Sequence, residues 1–216
     1  MSRRSSSLGA AAAVSLLFAL AASAEAQPAP ASPAAPGETA TPPPAAAAAP
    51  TGGPQAKDPA DELFARGNDA FDKGSVDEAY SLYQQAWTLK HTYDIAGNLG
   101  QVELKLGKFR DAAEHLDFTL RLFPPTGKAA PREAIRLAFE AARKEVAALT
   151  IRVSAQGAAV SVDGTAIGLS PFEVPVFVDP GKRTLEATLE AHLPTRIVIE
   201  VEKAESREVN LSLVPK

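Results

Sequence analysis

The sequence predicts an α+β multidomain chain, with α-helical hairpin repeats followed by a small antiparallel β-sandwich. Three observations predict it. A segment recurs at a spacing of thirty-three residues: Leu63-x3-Gly67-x6-Gly74-x4-Ala79-x3-Tyr83-x5-Leu89 returns as Ala96-x3-Gly100-x6-Gly107-x4-Ala112-x3-Leu116-x5-Leu122. A fixed period of that length is the mark of a helical-hairpin repeat, whose stacked units present a concave binding surface. From Leu149 onward the apolar period changes from helical to two, the period of a half-buried strand. A Pro/Ala-rich stretch precedes both. The expected organisation is a signal segment over 1–26, a linker over 27–59, repeats with a capping helix over 60–148, and the β unit over 149–216.

The N-terminal 26 residues have the parts of a secretory signal. Arg3 and Arg4 give the positive start, an apolar run covers 8–22, and small residues follow. Cleavage is expected after Ala24 or Ala26, with retention as an uncleaved anchor the alternative; after cleavage no segment is long enough to span a bilayer. The chain is therefore read as exported, to the periplasm or cell surface. It contains no cysteine, which excludes disulfides, thiolate metal sites and a lipidated cysteine. A net charge of −4 without a basic cluster argues against nucleic acid as a partner. Residues 27–59 hold ten of the eighteen prolines and almost no large apolar side chain, so an extended, disordered spacer is expected there.

Four helices are expected over 60–123. The first carries Leu63, Gly67 and Ala70 at helical spacing and stops at Gly74, a left-handed C-terminal position. Ser75-x-x-Glu78 offers a capping box for the second, whose buried face is expected to carry Ala79, Leu82, Tyr83, Ala86 and Leu89. In the second copy Gly107 is the stop and Ala112, Leu116 and Leu120 the buried face. Lys108 stands where Ser75 stood, so this turn is expected to lack the box and fray more easily. After Pro124-Pro125, the residues Ile135, Ala138, Phe139, Ala142, Val146 and Leu149 form one apolar stripe. Arg132, Glu133, Arg136, Glu140, Arg143 and Lys144 cover the other side, as a terminal cap requires.

The twice-repeated pattern resembles the tetratricopeptide repeat, through Gly67, Ala79, Tyr83 and Ala86 and then Gly100, Ala112, Leu116 and Thr119. Arg66 and Thr119 depart from it. The resemblance covers about 65 residues and implies a groove lined by Asp61, Phe64, Asn68, Phe71 and Asp72, continued by Asp94, Gly97, Gln101, Leu104 and Lys105. Phe64, Asn68 and Phe71 fall at i, i+4 and i+7 and so share one stripe of the first helix. Two aromatics flanking amides suit a peptide, the rings supplying burial and the amides satisfying its backbone. Phe64, Asn68, Phe71, Asp72, Gln101 and Lys105 are the candidate partner-binding residues. Packing against the neighbouring hairpin is the bland alternative for the two phenylalanines.

In the C-terminal region, Leu149/Ile151/Val153, Val160/Val162, Phe172/Val174/Val176/Val178, Leu185/Ala187/Leu189, Ile197/Ile199/Val201 and Val209/Leu211/Leu213 alternate with polar residues. Each run is expected to be a strand with one buried and one wet face. Asp163-Gly164 marks a hairpin turn, and in Asp179-Pro180-Gly181-Lys182 glycine supplies a positive φ. These residues, with Ile167-Gly168-x-Ser170-Pro171, resemble the PEGA domain, a small surface-layer-type β module. Ala191 stands where that family often has glycine. The resemblance implies a second contact surface on envelope material, and a carbohydrate-binding protein acting mainly through this module is the alternative function. Its only aromatic candidate on the wet face is Phe177.

No catalytic constellation is present, so a non-enzymatic protein without cofactor or metal is expected. His91, His115 and His192 are not at metal-ligand spacing and are read as ordinary structural histidines. Asn210-Leu211-Ser212 fits a glycosylation sequon but lies within an expected strand. The two folded parts, differing in period and each with its own apolar face, are expected to unfold separately. A contact through the helix over 135–149 would join them.

Overall fold

Residues 58–216 are described by a computed structural model of the chain. The expected signal segment and all but the last two residues of the expected linker lie outside them. Pro59 belongs to the first helix, α1 (Pro59–Asp72), as its opening residue, where its missing N–H costs nothing. Asp58 caps it by accepting from the Ala60 backbone N–H at 2.9 Å. There follow α2 (Val76–Leu89), α3 (Tyr93–Lys105), α4 (Phe109–Leu122) and α5 (Ala129–Arg143), packed as consecutive hairpins. No described helix is long and apolar enough to cross a membrane.

Both expected glycine stops are left-handed, Gly74 at φ 78° and Gly107 at φ 73°. Each ends its helix in the same pair of backbone bonds. Ser75 N–H donates to Ala70 C=O at 2.9 Å, and Lys108 N–H to Glu103 C=O at 2.9 Å. This corrects the expected capping box. The Ser75 N–H that Glu78 would have accepted from is already spent on the preceding helix, and the Ser75 side chain makes no cap bond. Lys108 makes none either, so the two turns are built alike.

The repeated small residues set how closely the helices approach. A methyl group on Gly67 would lie 2.5 Å from the Tyr83 ring, and one on Gly100 2.7 Å from Leu116. Ala79, Leu82, Tyr83 and Ala86 are buried as expected. Leu89 is not: it is 59% exposed as the last residue of α2. In α4, Ala112, Leu116, Ala113 and Thr119 are buried while Leu120 is half-buried. α5 lies against α4 and α3, with Ile135 filling the space left by Gly97.

The β part contains β1 (Ala147–Val153), β2 (Ala159–Val162), β3 (Thr165–Leu169), β4 (Val176–Val178), β5 (Gly181–Thr188), β6 (His192–Leu193), β7 (Thr195–Val201), β8 (Ser206–Leu211) and β9 (Val214–Pro215). They form sheets of order β4-β1-β8 and β3-β2-β5-β7 and a small β6-β9 pair. Pairing is antiparallel except at β1–β8, which is parallel. Strand structure begins at Ala147, and of the expected 172–178 run only Val176–Val178 is strand. Asp163 and Gly164 both have positive φ, as a two-residue hairpin turn of this hand requires. Ala191 adopts φ 57°, the conformation that glycine enters without cost.

Leu149, Ile151, Val160, Leu185, Ala187, Val209 and Leu211 make one core from both larger sheets. The other face of the three-stranded sheet is covered too. Ala148 and its cross-strand neighbour Phe177 project onto the helices and join Leu116, Ile135, Ala142 and Val146 in a second core. Helices and β module therefore share apolar burial, which argues against the separate unfolding expected from their periods.

Candidate functional site

The helical face predicted to bind a partner is assembled by α1 and α3. Phe71 and Lys105 meet across it, the ammonium 4.5 Å from the ring centroid, a cation–π contact. Phe64 lies 5.7 Å from the Tyr83 ring, centroid to centroid. Both phenylalanines are half-buried against the first hairpin's core, so each spends part of its area on packing and leaves the rest exposed. Asp72 is exposed at the end of α1, and the Gln101 amide donates to Gly97 C=O at 3.2 Å.

Asn68 has a structural task. Its Oδ1 accepts from Tyr83 Oη at 2.8 Å and from Asn98 Nδ2 at 2.8 Å, joining three helices at one atom. Burial raises the Tyr83 phenol above its ordinary value, so it stays protonated and keeps donating. Gly97, placed in the groove by the repeat pattern, is covered by Ile135 and Thr119. The open face thus runs from Phe64 to Lys105 and ends where α5 begins.

Between α3 and α4, His115, expected to be an ordinary structural histidine, meets a buried carboxylate. Glu103 is 1% exposed, and its Oε2 sits 2.7 Å from His115 Nδ1, linking α3 to α4. Burial pushes the Glu103 carboxyl above its usual value and the His115 contact opposes that rise. Trp87 stacks edge-on against both His115 and Phe118, at 5.1 Å each, and lies 4.2 Å from His91. Spacing twelve residues apart on different helices gave no sequence signal for this pair. Among the described residues no group of three or more histidines or carboxylates is placed to hold a metal.

In the β module the motif residues hold turns together. Asp163 Oδ1 accepts from the Thr184 backbone N–H and Oδ2 from Arg183, each at 2.8 Å, and these bonds keep its carboxyl below the usual range. Buried Ser170 donates to Ala155 C=O at 2.6 Å and accepts from the Ala158 N–H at 3.0 Å. Asn210 is exposed within β8. Phe177 is not on a wet face: it is 4% exposed, 5.9 Å from Phe139, with the Arg143 guanidinium 5.8 Å over its ring. A sugar-stacking platform at Phe177 is thereby corrected, because the odd-numbered face of β4 is the one the helices cover.

A family model described as the PEGA domain matches residues 146–216. No curated protein matches the chain.

Proposed function

We propose that the chain is an exported, non-enzymatic binding scaffold of the cell envelope. In this reading the hairpins are tetratricopeptide-like repeats that hold a protein or peptide partner on the α1–α3 face, and the PEGA domain supplies a second contact surface. The observation that carries it is the run of half-buried and exposed side chains Phe64, Phe71, Gln101 and Lys105 along two adjacent helices. Asn98 and Tyr83 hold Asn68 in place at its centre. Aromatic area beside a cation and amides gives an anchor for an apolar side chain and donors for a peptide backbone.

Cross-linking from a photoreactive residue replacing Gln101, in native envelopes, should capture the partner. The double variant Gln101→Ala, Lys105→Ala should then bind it at least about tenfold more weakly, with the melting temperature lowered by no more than a few degrees through the lost contact of Lys105 with Phe71. Asn68→Ala is expected to behave differently, lowering stability by about 1–2 kcal/mol because Tyr83 and Asn98 lose their acceptor. Undiminished binding by the double variant would end the groove reading. Export has its own check: the intact mass of the native protein should lack Met1 to Ala24 or Ala26, and a mass retaining them would sink the cleaved form.

A further inference from the structure

Each of the two larger sheets has two edges, and an unpaired edge invites a foreign strand unless charge or proline blunts it. β7 carries Arg196 and Glu200, and β8 carries Arg207 and Glu208. Arg207 also donates to Glu200 C=O at 2.8 Å, tying those two edges together. The remaining edges are different. β3 reads Thr-Ala-Ile-Gly-Leu and β4 reads Val-Phe-Val, with no charge and no proline, and Leu169 is 64% exposed.

Both uncharged edges border one cleft of about 500 Å³, whose opposite wall is the Arg110, Glu114, Asp117 and Arg121 face of α4. That volume is in the range of ligand sites, which favour domain junctions. Phe172 and Val174 give it apolar surface. Its arginines are engaged: Arg110 with Asp111, Arg121 with Asp117, Arg183 with Asp163. The carboxylates of Glu114 and Asp179 accept no hydrogen bond among the described residues; the Arg110 charge acts on both but is itself paired with Asp111, which leaves this wall net negative.

We propose that this cleft takes an extended peptide, added as a strand to the free edge of β3, with a basic side chain of the peptide facing Glu114 and Asp179. Main-chain bonds to β3 supply the affinity, and alternate side chains point to opposite sides, one row onto Phe172 and Val174 and the other toward α4. The site lies apart from the α1–α3 face and does not depend on that reading.

The test uses the full chain and three labelled heptapeptides of alternating Val and Thr: one with a central Lys, one with Glu there, and the Lys peptide N-methylated at alternate amides. Anisotropy and amide hydrogen exchange are the readouts. The Lys peptide should bind and protect amides within Thr165–Leu169, the Glu peptide should bind at least tenfold more weakly, and N-methylation should abolish binding. Glu114→Gln, which removes no hydrogen bond and only a through-space attraction to Arg110, should weaken the Lys peptide about tenfold while moving the melting temperature by no more than a few degrees. Four outcomes would each overturn the proposal. They are no binding at millimolar peptide, binding that survives N-methylation or the Lys-to-Glu change, protection on α1 and α3 in place of β3, and β3 protection in a peptide-free dimer, which would make the occupant a second copy.

Discussion

Phe177→Ala should lower stability by about 3–5 kcal/mol and split one cooperative melt into two. The ring is 4% exposed and fills the space between β4 and the helices, among Leu116, Ile135, Ala142 and Val146. Its removal leaves a cavity that neither unit can close alone, since Ala148 beside it is too small to reach across. Polar contacts at the same seam depend on that packing: Arg143 donates to the carbonyls of Val146 at 2.6 Å and Glu205 at 3.0 Å, and to Ser206 Oγ at 2.8 Å. At about 2–4 °C per kcal/mol for a chain of this size, the main transition should fall by roughly 10 °C. Differential scanning calorimetry reads this directly, with exposed Leu169→Ala as the control. Two resolved transitions already in the unmutated chain would show that the seam does not couple the units.

His115→Leu should cost about 3–5 kcal/mol near pH 8, and much less near pH 4. Removing the imidazole leaves Glu103 ionised, buried and without its 2.7 Å partner. The sign follows from the direction of the shift. Burial raises the folded carboxyl above its unfolded value, so its contribution is fully present below the ordinary glutamate range and is lost as pH rises through the raised folded value. The imidazole is what holds that rise in check, so the variant loses stability over a wider range as pH increases. Lys108 and Asp111 also act on Glu103, with opposite signs, and remain in the variant. Urea midpoints from pH 4 to 8 measure the effect, and adding Glu103→Gln should restore most of the loss. A pH-independent deficit would mean that His115 contributes packing against Trp87 alone.

The helical half was largely legible in the sequence because its signals are local. Gly67 opposite Tyr83 and Gly100 opposite Leu116 repeat with the period that pairs them, and Gly74 and Gly107 end helices through their own φ. Ser75 misled because a serine at a helix start looks the same whether or not its N–H is free, and here the preceding helix had taken it. The β half was legible as strands but not as pairings. Alternation says which residues share a face, and it correctly placed Val176 and Val178 together. It cannot say that the opposite face is covered by another unit, which is how Phe177 was misread as wet. The candidate groove was legible as a stripe, whereas the bond from Asn98 to Asn68 depends on how two repeats stack.

The parallel ladder between β1 and β8 sets how the chain bears a pull. Tension entering from the helices reaches the ladder at Ala148, where it begins opposite Ser206. Tension leaving toward Lys216 departs at the far end, where Val153 faces Leu211. The two strands are thus drawn lengthwise past one another, and the rungs between them share the load together, where a hairpin pulled at its open end would surrender them one at a time. Arg143, gripping the Glu205 carbonyl and Ser206 at the loaded end, adds a strut in the same direction. Pulled from its two ends, a chain joined in this way transmits force through its middle as a bolt does, in shear.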